Sequence, residues 1–81
     1  HIFALHNMSN IALLEEDLEN AERFALQALT INSDFVPAYG TLATVFQRQG
    51  RLDEAKRVLS RIIKLDKNNA DARKILDSLR D

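Results

Sequence analysis

Cysteine is absent from the 81 residues of this chain, so no disulfide or thiolate metal site braces it, and cysteine usage says nothing about redox compartment. No apolar run approaches the roughly 20 residues that a membrane-spanning helix needs, and no signal-peptide pattern opens the sequence. The expectation is a soluble chain of undetermined compartment. Two glycines, Gly40 and Gly50, stand isolated, so there is no glycine-rich loop to cradle a phosphate. The only histidines, His1 and His6, are spaced by five rather than the four that aligns side chains on a helix face, and no His-Glu-x-x-His motif occurs; a metal site is disfavoured. An excess of one charge is missing too. Eleven basic and twelve acidic residues leave a net charge of −1, and their interleaving leaves no broad positive field, so nucleic acid is disfavoured as a partner.

Nothing replaces these absences with catalytic chemistry. Ser9, Ser33, Ser60 and Ser78 sit in no nucleophile-elbow context, and none has a histidine and an orienting carboxylate near it in sequence. Glu15, Glu16 and Asp17 cluster at a turn, where water solvates them. Lys56, Arg57, Arg61 and Lys64 follow Asp53 and Glu54 along one helix, as on a solvated outer face whose charges suit the helix dipole. The chain is expected to be no enzyme and to carry no cofactor.

What is present is helical periodicity and repetition. Apolar residues at Leu5, Met8, Ile11 and Ala12 mark a first helix from Ile2 to about Leu14. A second, about Leu18 to Ile31, opens on Asp17 as cap and carries Ala21, Ala25 and Ala28 as a small-residue stripe. Pro37 suits the first turn of a third helix that runs to Gln49, after which Gly50 acts as a stop. The fourth spans Leu52 to Leu65. Asn69 caps a fifth, from about Ala70 to Leu79, with an apolar face of Ala72, Ile75, Leu76 and Leu79 and a wet face that includes Asp71, Arg73, Lys74, Asp77, Ser78 and Arg80.

The stretch from Pro37 to Asn69 has its own grammar: Tyr39-x-x-Leu42-Ala43-x-x-Phe46, a break at Gly50, Ala55-x-x-x-Leu59, then Ile62, Ile63 and Leu65 into Asp66-Lys67-Asn68-Asn69. A backward step of about 34 residues carries Leu52, Ala55 and Arg57 onto Leu18, Ala21 and Arg23. The same step carries Leu42 onto Met8, Ala43 onto Ser9 and Val45 onto Ile11. A forward step carries Ala38 onto Ala72 and Leu42 onto Leu76. In order and period the chain resembles the tetratricopeptide repeat family. Ala43 stands for the usual Gly, Leu59 for an aromatic, Ile62 for a common Ala and Lys67 for the closing Pro.

The resemblance implies an all-α fold: five helices in tetratricopeptide-repeat hairpins, stacked as a short right-handed α-superhelix, an alpha-alpha solenoid. One domain would cover residues 1–81, with repeat one about 2–35, repeat two about 36–69 and a capping helix about 70–80. Small chains of this size hold a slim margin of stability, and such arrays usually need about three repeats. A segment of a longer protein is therefore expected, or a homodimer through an exposed repeat face.

Carried onto this sequence, the family's register assigns Met8, Ala21, Ala25, Ala28, Tyr39, Leu42, Ala43, Phe46, Ala55, Leu59 and Ile62 to packing within and between repeats. It assigns a concave groove to the first helix of each repeat: Phe3, His6, Asn10 and Leu13, then Pro37, Thr41, Thr44 and Gln47 around the space left by Gly40, then Asp71, Lys74 and Ser78. The lining is largely polar and neutral, suited to an extended peptide backbone. Of the positions that grip a terminal carboxylate in the chaperone-binding subfamily, only Asn10 matches, and Asp71 would repel such a group; no carboxylate clamp is expected. The function implied is a non-catalytic protein-protein interaction module, a peptide or protein binder and scaffold with an unidentified partner. The alternatives are a structural spacer or self-association segment of a longer repeat protein, or a regulatory domain of an enzyme whose catalytic part lies elsewhere.

Overall fold

Short polar turns set the architecture. The computed structural model describes residues 1–79; Arg80, assigned above to the wet face of the last helix, and the boundary at 80 lie outside them. Five helices, α1 (Ile2–Leu14), α2 (Leu18–Ile31), α3 (Val36–Arg48), α4 (Leu52–Leu65) and α5 (Ala70–Leu79), succeed one another with links of three or four residues. Links this short force neighbours to fold back as hairpins. The helix boundaries match the sequence reading except for α3, which sits one residue earlier: Phe35 is its cap, Pro37 lies in its first turn, and Gln49 closes it.

Local chemistry accounts for the ends. The Asp17 carboxylate accepts from the Asn20 backbone N–H at 3.3 Å and from the Asn20 side-chain amide at 2.7 Å, capping α2. Asn69 Oδ1 accepts from the Ala72 N–H at 3.0 Å and caps α5 in the same way. The Tyr39 hydroxyl donates to the Ser33 carbonyl at 2.7 Å, pinning the α2–α3 turn to α3.

The helices stack as α1 on α2, α2 on α3, α3 on α4 and α4 on α5, and α1 also approaches α3. The stripe Ala21, Ala25 and Ala28 is fully buried in one cluster with Ala12, Ala38, Leu42, Val45, Phe46 and Ala55. Side chains this small let helix axes come close, so α3 of the second repeat packs directly on α2 of the first. A second cluster, Ala43, Leu59, Ile62, Ala72 and Leu76, joins repeat two to α5. Ser9 is wholly buried where Ala43 stands one period later, and its hydroxyl donates to the Ala21 carbonyl at 2.7 Å, which satisfies the only polar atom it brings inside.

Met8 requires a correction. Assigned to packing, it is 45% exposed, and Ile11 is 55% exposed, whereas Leu42 and Val45 one period later are 3% and 0% exposed. The cause is position rather than residue type: α2 lies across Leu42 and Val45, and no helix among the described residues lies across the same face of α1. At the ends of α4, Leu52 and Leu65 also remain exposed, so that helix buries less than its apolar content suggests.

Candidate functional site

The first helices of successive repeats, α1 and α3, and then α5, line one side of the stack. The two intervals between them differ. Between α1 and α3 the space is closed by side chains. The Asn10 amide nitrogen lies 3.2 Å from His6 Nε2, and the Thr41 hydroxyl lies 3.3 Å from Asn10 Oδ1 and 3.4 Å from the Pro37 carbonyl. Rings fill the remainder: His6 meets Phe35 edge-on at 5.7 Å, and Phe35 meets Phe3 edge-on at 5.9 Å, both favourable arrangements of aromatic quadrupoles. His6 Nδ1 is buried with no hydrogen-bond partner among the described residues.

Thr41 is thus placed differently from the expectation. Only 5% exposed, it is a bridge between α1 and α3 and not a lining residue, because the two helices approach closely enough for its hydroxyl to reach Asn10. Leu13 is half-buried against the core, and its carbonyl lies 3.4 Å from Arg48 Nη1. Phe3 stays exposed at the edge.

Between α3 and α5 the interval is open. Among the described residues, no Cα of α3 comes within 8 Å of one in α5. The gap holds a cavity of about 180 Å³ lined by Gly40, Thr44 and Gln47 of α3, Asn69 ahead of α5, and Asp71 and Ile75 of α5, over a floor of Ala43, Leu59, Ile62 and Ala72. Gly40 occupies the position that His6 holds one period earlier, and a Cβ added to it would meet nothing within 4 Å. A missing side chain on α3 and a wider helix separation act together to leave this space.

The structure therefore brings together Gly40, Thr44, Gln47 and Asp71 from the expected groove. Lys74 and Ser78 are exposed on α5 but do not line the cavity, and the Ser78 hydroxyl donates to the Ile75 carbonyl at 2.7 Å. Asn69 was expected only as the cap of α5, and Ile75, which the family's register puts at a groove position, was expected on the apolar face of α5. The signal for Ile75 was available, since it stands one period after Thr41. Ala43, Leu59 and Ile62 do double duty, packing the core and flooring the cavity.

The polar rim is divided in its commitments. The Thr44 hydroxyl donates to the Gly40 carbonyl at 3.2 Å. The Gln47 side-chain amide makes no hydrogen bond, and Asp71 makes no ion pair, among the described residues. Both remain available to a ligand. Away from the cavity, Arg51 joins the repeats: it lies 3.0 Å from Glu22 of α2 and 2.6 Å from Glu54, and its guanidinium covers the Phe46 ring at 4.4 Å. Its hydrogen bond and charge hold the Glu54 carboxyl below its ordinary value. Among the described residues, no three His, Asp or Glu side chains converge as a metal set would, and no helix is long and apolar enough to cross a membrane.

A family profile described as Tetratricopeptide repeat matches residues 12–80. No curated protein matches the sequence.

Proposed function

Because the chain belongs to the tetratricopeptide repeat family, whose members generally mediate protein-protein interaction, we propose that it acts as a non-catalytic module that holds a peptide or protein segment in its concave groove and so helps scaffold an assembly. The observation that carries this reading is the open interval beside Gly40, with an apolar floor and an uncommitted Gln47 amide. Apolar concavities with a few convergent polar groups are the usual form of a binding site. The groove is functional in its α3–α5 half, since the α1–α3 half is occupied by His6, Asn10 and Thr41. A displayed library of random peptides tests it. Selected binders should lose affinity on Thr44→Ala plus Gln47→Ala, with the thermal melt unchanged; binders indifferent to both changes would sink the groove reading.

A second reading, self-association, rests on one observation: Met8 and Ile11 are bare where Leu42 and Val45 are covered. Apolar surface of this kind gains by burial against a mate. Among the described residues the other end of the stack offers no matching patch, as α5 exposes Arg73, Lys74 and Asp77. A dimer would therefore be isologous, face to like face.

A further inference from the structure

The cavity between α3 and α5 specifies more about its occupant than a general groove would. Building on the groove reading, on which it rests, we infer that this cavity is an anchor pocket for one aliphatic side chain of an extended peptide that carries a lysine or arginine beside the anchor.

Size is the first constraint. At about 180 Å³, the space is well below the roughly 300–1,000 Å³ of pockets that enclose a small-molecule ligand. It suits a single side chain delivered from outside. Its floor of Ala43, Leu59, Ile62 and Ala72, with Ile75 on the wall, presents apolar side chains only, so the buried end of a polar side chain would lose its water without a side-chain replacement. An aliphatic one gains by the transfer.

The rim fixes the rest. Gln47 carries both a donor and two acceptor lone pairs on an uncommitted amide, the complement of one peptide unit of an extended backbone. Asp71 sits on the α5 side of the same opening, exposed and without an ion pair among the described residues. A cationic side chain next to the anchor reaches it, and an acidic one is repelled. Lys74, on the same helix, stands outside the cavity lining, so the charge that faces the anchored residue is Asp71. The interval one repeat earlier shows what closure looks like: His6 stands where Gly40 leaves room, and Thr41, one period before Ile75, spans to Asn10.

The test uses the full chain and end-blocked octapeptides whose central residue is Leu, Ala or Asp and whose flanks are Lys, Gly or Glu, titrated by fluorescence polarisation. The Leu-centred, Lys-flanked peptide should bind at least about tenfold tighter than its Ala-centred partner, a difference of about 1.4 kcal/mol. Gly40→Leu, which grows a side chain into the empty space, should abolish binding. Asp71→Lys, an exposed change whose melt is measured beside the parent's, should reverse the flank preference from Lys to Glu, and it decides the matter should Gly40→Leu fail to fold. Equal binding of Leu- and Ala-centred peptides, or an unchanged flank preference in Asp71→Lys, overturns the inference. Peptides that bind yet ignore Gly40→Leu would leave a groove elsewhere and remove the anchor pocket. A monomer that binds none of the set, and also yields no binder from a random library, removes the groove reading as well.

Discussion

Glu16 and Gly50 end the first helix of successive repeats in the same left-handed backbone, at φ 61° and φ 74°. The hydrogen bonds around them also correspond: Asp17 N–H donates to the Ala12 carbonyl and Arg51 N–H to the Phe46 carbonyl, each at 2.8 Å. One turn is thus built twice, once with the residue that tolerates it and once with a residue that does not. The chain brings α2 back onto α1 only by taking this geometry, so packing overrides local preference at Glu16.

The left-handed region costs an L residue about 1–2 kcal/mol, and glycine's extra freedom in the unfolded chain returns about 0.5–1 kcal/mol of that difference. Glu16→Gly also gives up the exposed Arg48 pair at 3.1 Å, which is worth little. We expect Glu16→Gly to raise stability by about 0.5 kcal/mol and Gly50→Ala to lower it by about 1 kcal/mol. Urea titrations of both variants check the signs; a loss at Glu16 would show that this turn carries no strain.

Ala55 is 0% exposed and lies in the buried cluster that Leu42, Val45 and Phe46 of α3 form with the alanines of α2. A tryptophan there has no space, and overpacking costs about 3 kcal/mol or more, a large part of the about 5–15 kcal/mol a small domain holds. Ala55→Trp should lose its cooperative melt in circular dichroism, while Ala70→Trp, at an exposed site, should melt as the parent does. An unaltered melt for Ala55→Trp would refute the register.

The bare face of α1 predicts association. In light scattering the apparent mass should climb with concentration towards twice the monomer, and Met8→Gln with Ile11→Gln should hold it at the monomer with the melt intact, since both side chains are exposed. A parent chain that remains monomeric throughout would remove the self-association reading.

Acid should weaken the pairing at the start of α4. The Glu54 carboxyl is held below its ordinary value of 4.5, first by its hydrogen bond to Arg51. A depressed folded value means the contribution is fully present above 4.5 and is lost as pH falls through the folded value. Urea midpoints measured from about pH 6 to about pH 3 should fall in the parent and fall less in Glu54→Gln. Equal slopes would show that the pair is not linked to folding.

Much of the architecture is legible in the chain itself. Asp17, Pro37, Gly50 and Asn69 punctuate helices through groups they carry themselves, and the alanines of α2 announce close packing wherever they lie. Gly40, Thr44 and Gln47, which the family's register places together, line one cavity, yet the same register put Thr41 beside them. Equivalent positions have equivalent surroundings only when their neighbours are equivalent, and α3 meets α1 at close range but stands off from α5.

The number of helices, their ends and their order of pairing come from the sequence by itself, because periodicity, caps and short links act over a few residues at a time. The tertiary structure alone decided which members of each matched pair are covered: Leu42 and not Met8, and His6 filling its interval while Gly40 leaves its own empty. Burial is a property of what lies across from a side chain, and that partner is set by the spacing of whole helices, which no local pattern encodes.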